Sequence, residues 1–135
     1  MTRETSSAIL VMKMFKGQSI TTMDKWGRVR IPDILRKAIE ERYGRDVFVT
    51  SLDDESVMVF PMSEWDGIAS RINRMWRDDQ ELKNIMRKMN LNGLIAVIDK
   101  KGRVLVHKDL RRKTKLEGRI AIEGGKNHLI LKNAN

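Results

Sequence analysis

Two arginines in this chain each follow a glycine that closes a short turn: Asp24-Lys25-Trp26-Gly27-Arg28 and Asp99-Lys100-Lys101-Gly102-Arg103. Aspartate at the first position and glycine at the fourth mark a type I turn closed by a glycine bulge. The carboxylate caps turn amides and the glycine takes a positive φ, so the arginine leaves a stiff support with little freedom left to lose. A guanidinium held in this way can meet guanine O6 and N7 together, or grip a phosphate. Arg28 and Arg103 are therefore the candidate base readers, and Asp24, Gly27, Asp99 and Gly102 are their supports. Lys25, Lys100 and Lys101 at the tips, with Arg30 beside the first reader, are candidate phosphate contacts. Seen once, such a peptide is adequately explained as a plain turn.

It is not seen once. The second copy follows the first by 75 positions (99 less 24), and the register runs on through Val29 and Val104, Ile31 and Val106, Leu35 and Leu110, Arg36 and Arg111. An internal period of this length signals one supersecondary unit used twice. The chain has 135 residues, the length of a single domain, and carries 27 Lys+Arg against 18 Asp+Glu, a formal net charge of +9. That balance favours a polyanionic partner, although charge alone is equally compatible with simple solubility. No apolar run approaches the ~20 residues that cross a bilayer, so no membrane partner is expected.

The elements that must position the turns follow from local pattern. A strand over 17–23 leads into the first turn, and Arg28 to Ile31 returns from it as a hairpin, with Val29 and Ile31 on one face and Arg28 and Arg30 on the other. Pro32 and Asp33 open a helix whose apolar stripe is Ile34, Leu35, Ala38 and Ile39, stopped by Gly44. Strands Asp46 to Leu52 and Val57 to Pro61 follow around the polar turn Asp53-Asp54-Glu55-Ser56. A helical connector comes next, opened by Ser63-Glu64-Trp65-Asp66 as a capping box and interrupted at Asp78-Asp79, which predicts two helices or one bent one. The second unit repeats the order: strand Leu94 to Ile98, turn, strand Arg103 to Val106, helix Asp109 to Lys115, and a hairpin of Arg119 to Glu123 and His128 to Lys132. Its helix is nearly all charge (Lys108, Arg111, Arg112, Lys113, Lys115), with Leu110 and Leu116 alone to pack, so its face should be exposed and basic.

Other chemistries find little support. There is no cysteine, hence no disulfide, thiolate metal site or thiol nucleophile, which fits a reducing cytoplasm. His107 and His128 lack companion ligands at metal spacing, so no metal site is expected. Gly124-Gly125-Lys126 lacks the upstream glycine and the Ser/Thr of a phosphate loop and reads as a hairpin tip. No cofactor is implied and no catalytic set stands out, so the chain is not read as an enzyme. Trp26 reads as a subunit contact, or else as a platform for a base or sugar. The methionines Met75, Met86 and Met89 read as core or oligomer packing.

The residues now resemble the MraZ family, within the AbrB/MazE/MraZ-like superfamily. Met14-Phe15-Lys16-Gly17 is similar to the family's Met-Phe-x-Gly opening, Asp24/Arg28 and Asp99/Arg103 to its paired Asp-x-x-x-Arg motifs, and Phe60-Pro61-Met62-Ser63-Glu64-Trp65 to its passage into the connector. The resemblance covers residues 14 to about 132. It implies an α+β fold, mainly β: a tandem pair of AbrB-like swapped-hairpin β-barrel halves with pseudo-two-fold symmetry and connecting helices. On that reading residues 1–13 are an N-terminal extension, disordered or an interaction segment; 14–62 form the first repeat, 63–92 the helical connector and 93–135 the second repeat.

Members of the family assemble into rings. They regulate transcription at the promoter of the division and cell-wall gene cluster, which contains their own gene, by binding short G-rich direct repeats. The resemblance thus implies double-stranded DNA and further copies of the chain as partners, and a cytoplasmic, nucleoid-associated location. Trp26 departs from the family, standing where lysine is common, and the chain stops soon after its last strand, where many relatives carry a further helix. Two other readings stay open. An AbrB-like antitoxin that represses its own operon and binds a toxin would have one barrel half and a long acidic or disordered tail. A non-specific basic scaffold would show no sequence preference.

Overall fold

Residues 19–125 and 127–134 are described by a computed structural model of the chain. Residues 1–13, the Met14–Gly17 opening, the start of the first predicted strand, Lys126 and Asn135 lie outside the described residues.

Eight strands and four helices alternate along the described residues. They are β1 (Ser19–Thr22), β2 (Arg28–Arg30), α1 (Asp33–Tyr43), β3 (Asp46–Thr50), β4 (Ser56–Pro61), α2 (Met62–Met75), α3 (Gln80–Asn92), β5 (Leu94–Val97), β6 (Arg103–Leu105), α4 (Lys108–Thr114), β7 (Arg119–Gly124) and β8 (Leu129–Asn133). Every strand pairing is antiparallel. Six strands form one sheet in the order β1-β7-β8-β4-β3-β5, while β2 and β6 form a separate two-stranded ribbon. Exchanging the two halves of the chain turns that six-strand order into its own reverse, with β4 and β8 meeting at the centre.

The predicted hairpin of the first strand with Arg28–Ile31 is not formed. β1 pairs with β7, β2 pairs with β6, and Met23 to Val29 is a lone bridge across the turn. The faces explain the exchange. Set opposite each other at the centre of the ribbon, Val29 and Val104 are 0% and 1% exposed. They join Ile31, Leu35, Val106 and Leu110 in a core drawn from both halves. A hairpin closed on its own strand would leave each three-residue return strand with no apolar partner from the other copy.

The helices mostly start and stop where local chemistry dictates. Asp79 caps α3 through its carboxylate, which accepts from the Leu82 N–H at 3.1 Å, so the acidic pair divides the connector into two helices. Ser63, however, caps nothing: α2 begins a residue earlier, after Pro61, and the predicted capping box falls inside its first turn. Trp65 of α2 stacks on Phe48 at 4.6 Å and tilts on Phe60 at 5.2 Å, forming a second apolar cluster with Met89 of α3 on the outer side of β3 and β4. Such aromatic pairs add about 0.5–1.5 kcal/mol each beyond the area they bury. Met86 packs at its margin, but Met75 is 64% exposed, and no core claims it.

Ile34 also departs from its predicted role. It is exposed, because α1 meets the core along the narrow Leu35–Ile39–Tyr43 line, each one turn from the last. Leu110 of α4 and Leu116 just beyond it are buried, and Lys108, Arg112 and Lys115 are exposed, but Arg111 and Lys113 are half-buried, so the charged face is only partly open. None of the helices is long and apolar enough to cross a membrane, among the described residues.

Candidate nucleic-acid interface

The two Asp-x-x-Gly-Arg turns have the same internal geometry. In the first, the Gly27 N–H donates to the Asp24 carbonyl at 3.1 Å, and the Asp24 N–H donates to the Arg28 carbonyl at 3.0 Å. Asp24 Oδ1 accepts from the N–H groups of Trp26 and Arg28, both at 3.0 Å, and Oδ2 accepts from Arg28 Nε at 2.7 Å. In the second, Asp99 Oδ1 accepts from Lys101 at 2.9 Å and Arg103 at 2.8 Å, and Oδ2 from Arg103 Nε at 2.8 Å. Each aspartate therefore holds both the turn and the guanidinium that leaves it. Gly27 and Gly102 take φ of +91° and +78°, a backbone that side chains resist.

Both carboxylates respond to this wiring. Loss of surrounding water pushes the Asp24 carboxyl up, but the backbone and guanidinium of Arg28 and the N–H of Trp26 outweigh it, leaving the group below its ordinary value. Asp99 behaves alike, its burial outweighed by Arg103 and the Lys101 N–H. Both stay ionised at neutral pH, which keeps the arginines oriented.

The β2–β6 ribbon then sets the spacing of the arginines. Arg28 lies opposite Leu105 and Arg30 opposite Arg103. Residues opposite each other, and those two apart, share a face. Arg28, Arg30 and Arg103 thus share the outer face, above the buried Val29 and Val104. Arg103 also reaches the other motif, its Nη1 lying 3.8 Å from Asp24 Oδ2. Lys25, Lys100 and Lys101 are exposed at the tips, as is Arg30 on the ribbon. Trp26 is 59% exposed, with Lys25 Nζ 4.6 Å and Arg28 Cζ 5.0 Å from its ring, so cations of its own turn gather about it.

Arg36 and Arg111 were legible as a matched pair but carried no role in the sequence. The structure gives each a place against the opposite turn. A Cβ on Gly27 would stand 2.5 Å from Arg111 Nε and 2.7 Å from the Val106 carbonyl, and a Cβ on Gly102 would run into Arg36, whose Nε lies 2.7 Å away. The helix of each half therefore backs the turn of the other. Backbone bonds repeat the exchange: the Val106 N–H donates to the Gly27 carbonyl at 2.8 Å and the Ile31 N–H to the Gly102 carbonyl at 2.9 Å. The available signal was the register itself, since an arginine repeated directly after the matched Leu35 and Leu110 has no core duty.

Comparison with known proteins gives the family. A family model described as "MraZ protein, putative antitoxin-like" matches residues 14–88. Among curated proteins, the chain is similar to the transcriptional regulator MraZ of Carboxydothermus hydrogenoformans, 33% identical over 82% of this chain and 75% of that protein. It is also similar to the transcriptional regulator MraZ of Burkholderia cenocepacia, 30% identical over 87% of this chain and 81% of the relative. That of Acidobacterium capsulatum is 28% identical, over 89% and 82% respectively.

Proposed function

The chain belongs to the MraZ family, and from that membership we propose that it is a sequence-specific DNA-binding transcription regulator that reads short direct repeats through its paired turns. One observation carries the reading: two aspartate-clamped turns deliver Arg28 and Arg103 to one face of a single two-stranded ribbon. A β-ribbon fits a major groove, and a guanidinium already held by a carboxylate loses little freedom on meeting guanine. Arg28 and Arg103 read bases; Lys25, Lys100, Lys101 and Arg30 hold phosphates; Asp24, Gly27, Asp99 and Gly102 brace the readers. The target is the promoter of the division and cell-wall cluster that includes the protein's own gene, in the cytoplasm at the nucleoid.

In this reading residues 14–62 and 93–135 are the two repeats of a tandem swapped-hairpin barrel, joined by 63–92. The strand exchanges β1–β7, β2–β6 and β3–β5 support it. The protein works as a homo-oligomeric ring, in which neighbouring copies each take one repeat and weak single contacts multiply through effective concentration. An apolar strand at one edge of the sheet, β5, supports self-association.

Fluorescence anisotropy of the full-length protein on its own upstream duplex and on a scrambled duplex tests the reading. Arg103→Ala should cost about 1–3 kcal/mol of discrimination between the two, the worth of one bidentate arginine–guanine pair. Lys101→Ala should weaken both duplexes alike. Equal affinity of the unaltered protein for the two duplexes would reject sequence reading, and a larger loss of preference with Lys101→Ala would reverse the division of roles.

A further inference from the structure

The two turns are alike in backbone but not in what surrounds them. Asp33, Arg36 and Glu40 of α1 stand in the same sequence register as Lys108 and Arg111 of α4 and Lys115, the left-handed residue that ends it. Arg36, behind the second turn, is flanked by its own helix's acids, with Asp33 at 3.6 Å and Glu40 at 3.4 Å. Arg111, behind the first turn, has lysines at both of those positions, and no carboxylate within ion-pair distance among the described residues. The Nε of each arginine is buried without a hydrogen-bond partner, so the difference lies in what the rest of each guanidinium meets.

Beside the first turn this arrangement opens a cavity of about 820 Å³ between the turn and α4. Its wall carries five cations: Lys25, Lys108, Arg111, Arg112 and Lys115. Two acids share the wall, Asp24, which is already bound by Arg28, and Glu117. Cations converging on a concave surface next to a partly dry arginine attract a compact, multiply bonded anion. The first turn also lacks a tip lysine that the second has, since Trp26 stands at the register of Lys101. The lysines of α4 supply positive charge at the turn that is short of it.

We propose that this cavity is a phosphate-binding site that takes a backbone phosphate of the DNA met by the first turn. The proposal deepens the reading of the protein as a DNA binder and rests on it for the source of the phosphate. It makes the turns unequal: the first, with α4, supplies more of the salt-sensitive grip, and the second reads bases with its backing arginine already neutralised. The alternative source of the same chemistry is a free phosphorylated small molecule.

The test is the double exchange Lys108→Asp/Lys115→Glu in the full-length protein. It places acids beside Arg111 at the sequence register of those that flank Arg36, and thermal melting checks that the variant is folded. Affinity for the upstream and scrambled duplexes is measured across a salt series, and inorganic pyrophosphate is titrated calorimetrically into both proteins. The exchange should make the log–log salt slope shallower by at least about 0.9, the equivalent of one phosphate. The preference for the upstream duplex should stay within about twofold of its original value, and pyrophosphate binding should be lost. A slope unchanged by the exchange overturns the DNA phosphate as occupant; if pyrophosphate binding is still lost, the occupant is a free phosphorylated molecule. Should the unaltered protein bind neither duplex, the DNA reading itself fails, and the pyrophosphate titration alone decides the cavity. Pyrophosphate binding equally to both proteins, or to neither, with no change in slope, removes the site. If the variant does not fold, Arg112→Gln, at an exposed wall position, takes its place in the same measurements.

Discussion

At the scale of single residues, a glycine's worth here depends on what lies behind it. Gly27 and Gly44 both take a left-handed backbone, at φ +91° and +84°. Nothing lies within 4 Å of where a Cβ on Gly44 would stand, whereas one on Gly27 would meet Arg111 Nε at 2.5 Å and a carbonyl oxygen at 2.7 Å. Gly44→Ala should therefore cost only the conformational penalty, about 1–2 kcal/mol. Gly27→Ala adds a clash with backbone that cannot swing aside, so its loss in denaturant unfolding should be clearly the greater. Equal losses would mean that Arg111 does not back the turn. The same contact ties function to fold, since moving Arg111 would disturb both the first turn and the cationic wall beside it. The turns themselves were legible in the sequence because Asp, Gly and Arg each have a local job there. The backing arginines were not, because their contacts belong to the opposite half of the chain.

At the scale of elements, the β7–β8 hairpin contains a titratable group that the turns do not involve. His128 stacks on Phe60 of β4 at 4.8 Å, and burial pushes its imidazole below the ordinary value of 6.5. A histidine whose folded value is depressed favours the folded state while neutral. Its contribution is complete above the unfolded value of about 6.5 and is lost as pH falls through the lower folded value. As pH falls below about 6.5, the melting temperature of the protein should accordingly drop by more than that of His128→Phe, which keeps the ring stack and cannot take up a proton. Parallel pH profiles would show that His128 is solvated in the folded protein. Element identity was largely readable, from the Asp79 break to the β3–β4 and β7–β8 hairpins. Partner choice was less so. A short run such as Arg28-Val29-Arg30 states which face is apolar, but not that its match is Val104 rather than the strand just before it. For the same reason Ile34 looked like a core residue: periodicity names a face, and only the assembled neighbours decide whether it is covered.

At the scale of the whole molecule, the two ends of the six-stranded sheet are related by the repeat yet differ in chemistry. β1 reads Ser19-Ile20-Thr21-Thr22, while its counterpart β5 reads Leu94-Ile95-Ala96-Val97. On β5, Leu94, Ile95 and Val97 are 55%, 66% and 57% exposed, and Leu91 at the end of α3 is 80% exposed. Natural proteins usually protect sheet edges with charge, proline or a cover, because an open edge pairs with other chains. An apolar edge strand kept in this form, beside another exposed leucine, is what a repeated subunit contact requires, and a single apolar edge meeting a different surface of the next copy is the geometry that closes into a ring. Ile95→Lys places a charge at the centre of that strand without touching either Asp-x-x-Gly-Arg turn. Light scattering after size exclusion should then show a smaller species than the unaltered protein. Each remaining unit should keep its preference between upstream and scrambled duplexes while losing the affinity that comes from joined copies, which falls by 10²–10⁴ when avidity is removed. If the variant keeps its original mass, β5 is not the contact. If it becomes smaller at full affinity, one unit binds DNA as well as the assembly does, and the proposed ring would need some duty other than holding successive repeats.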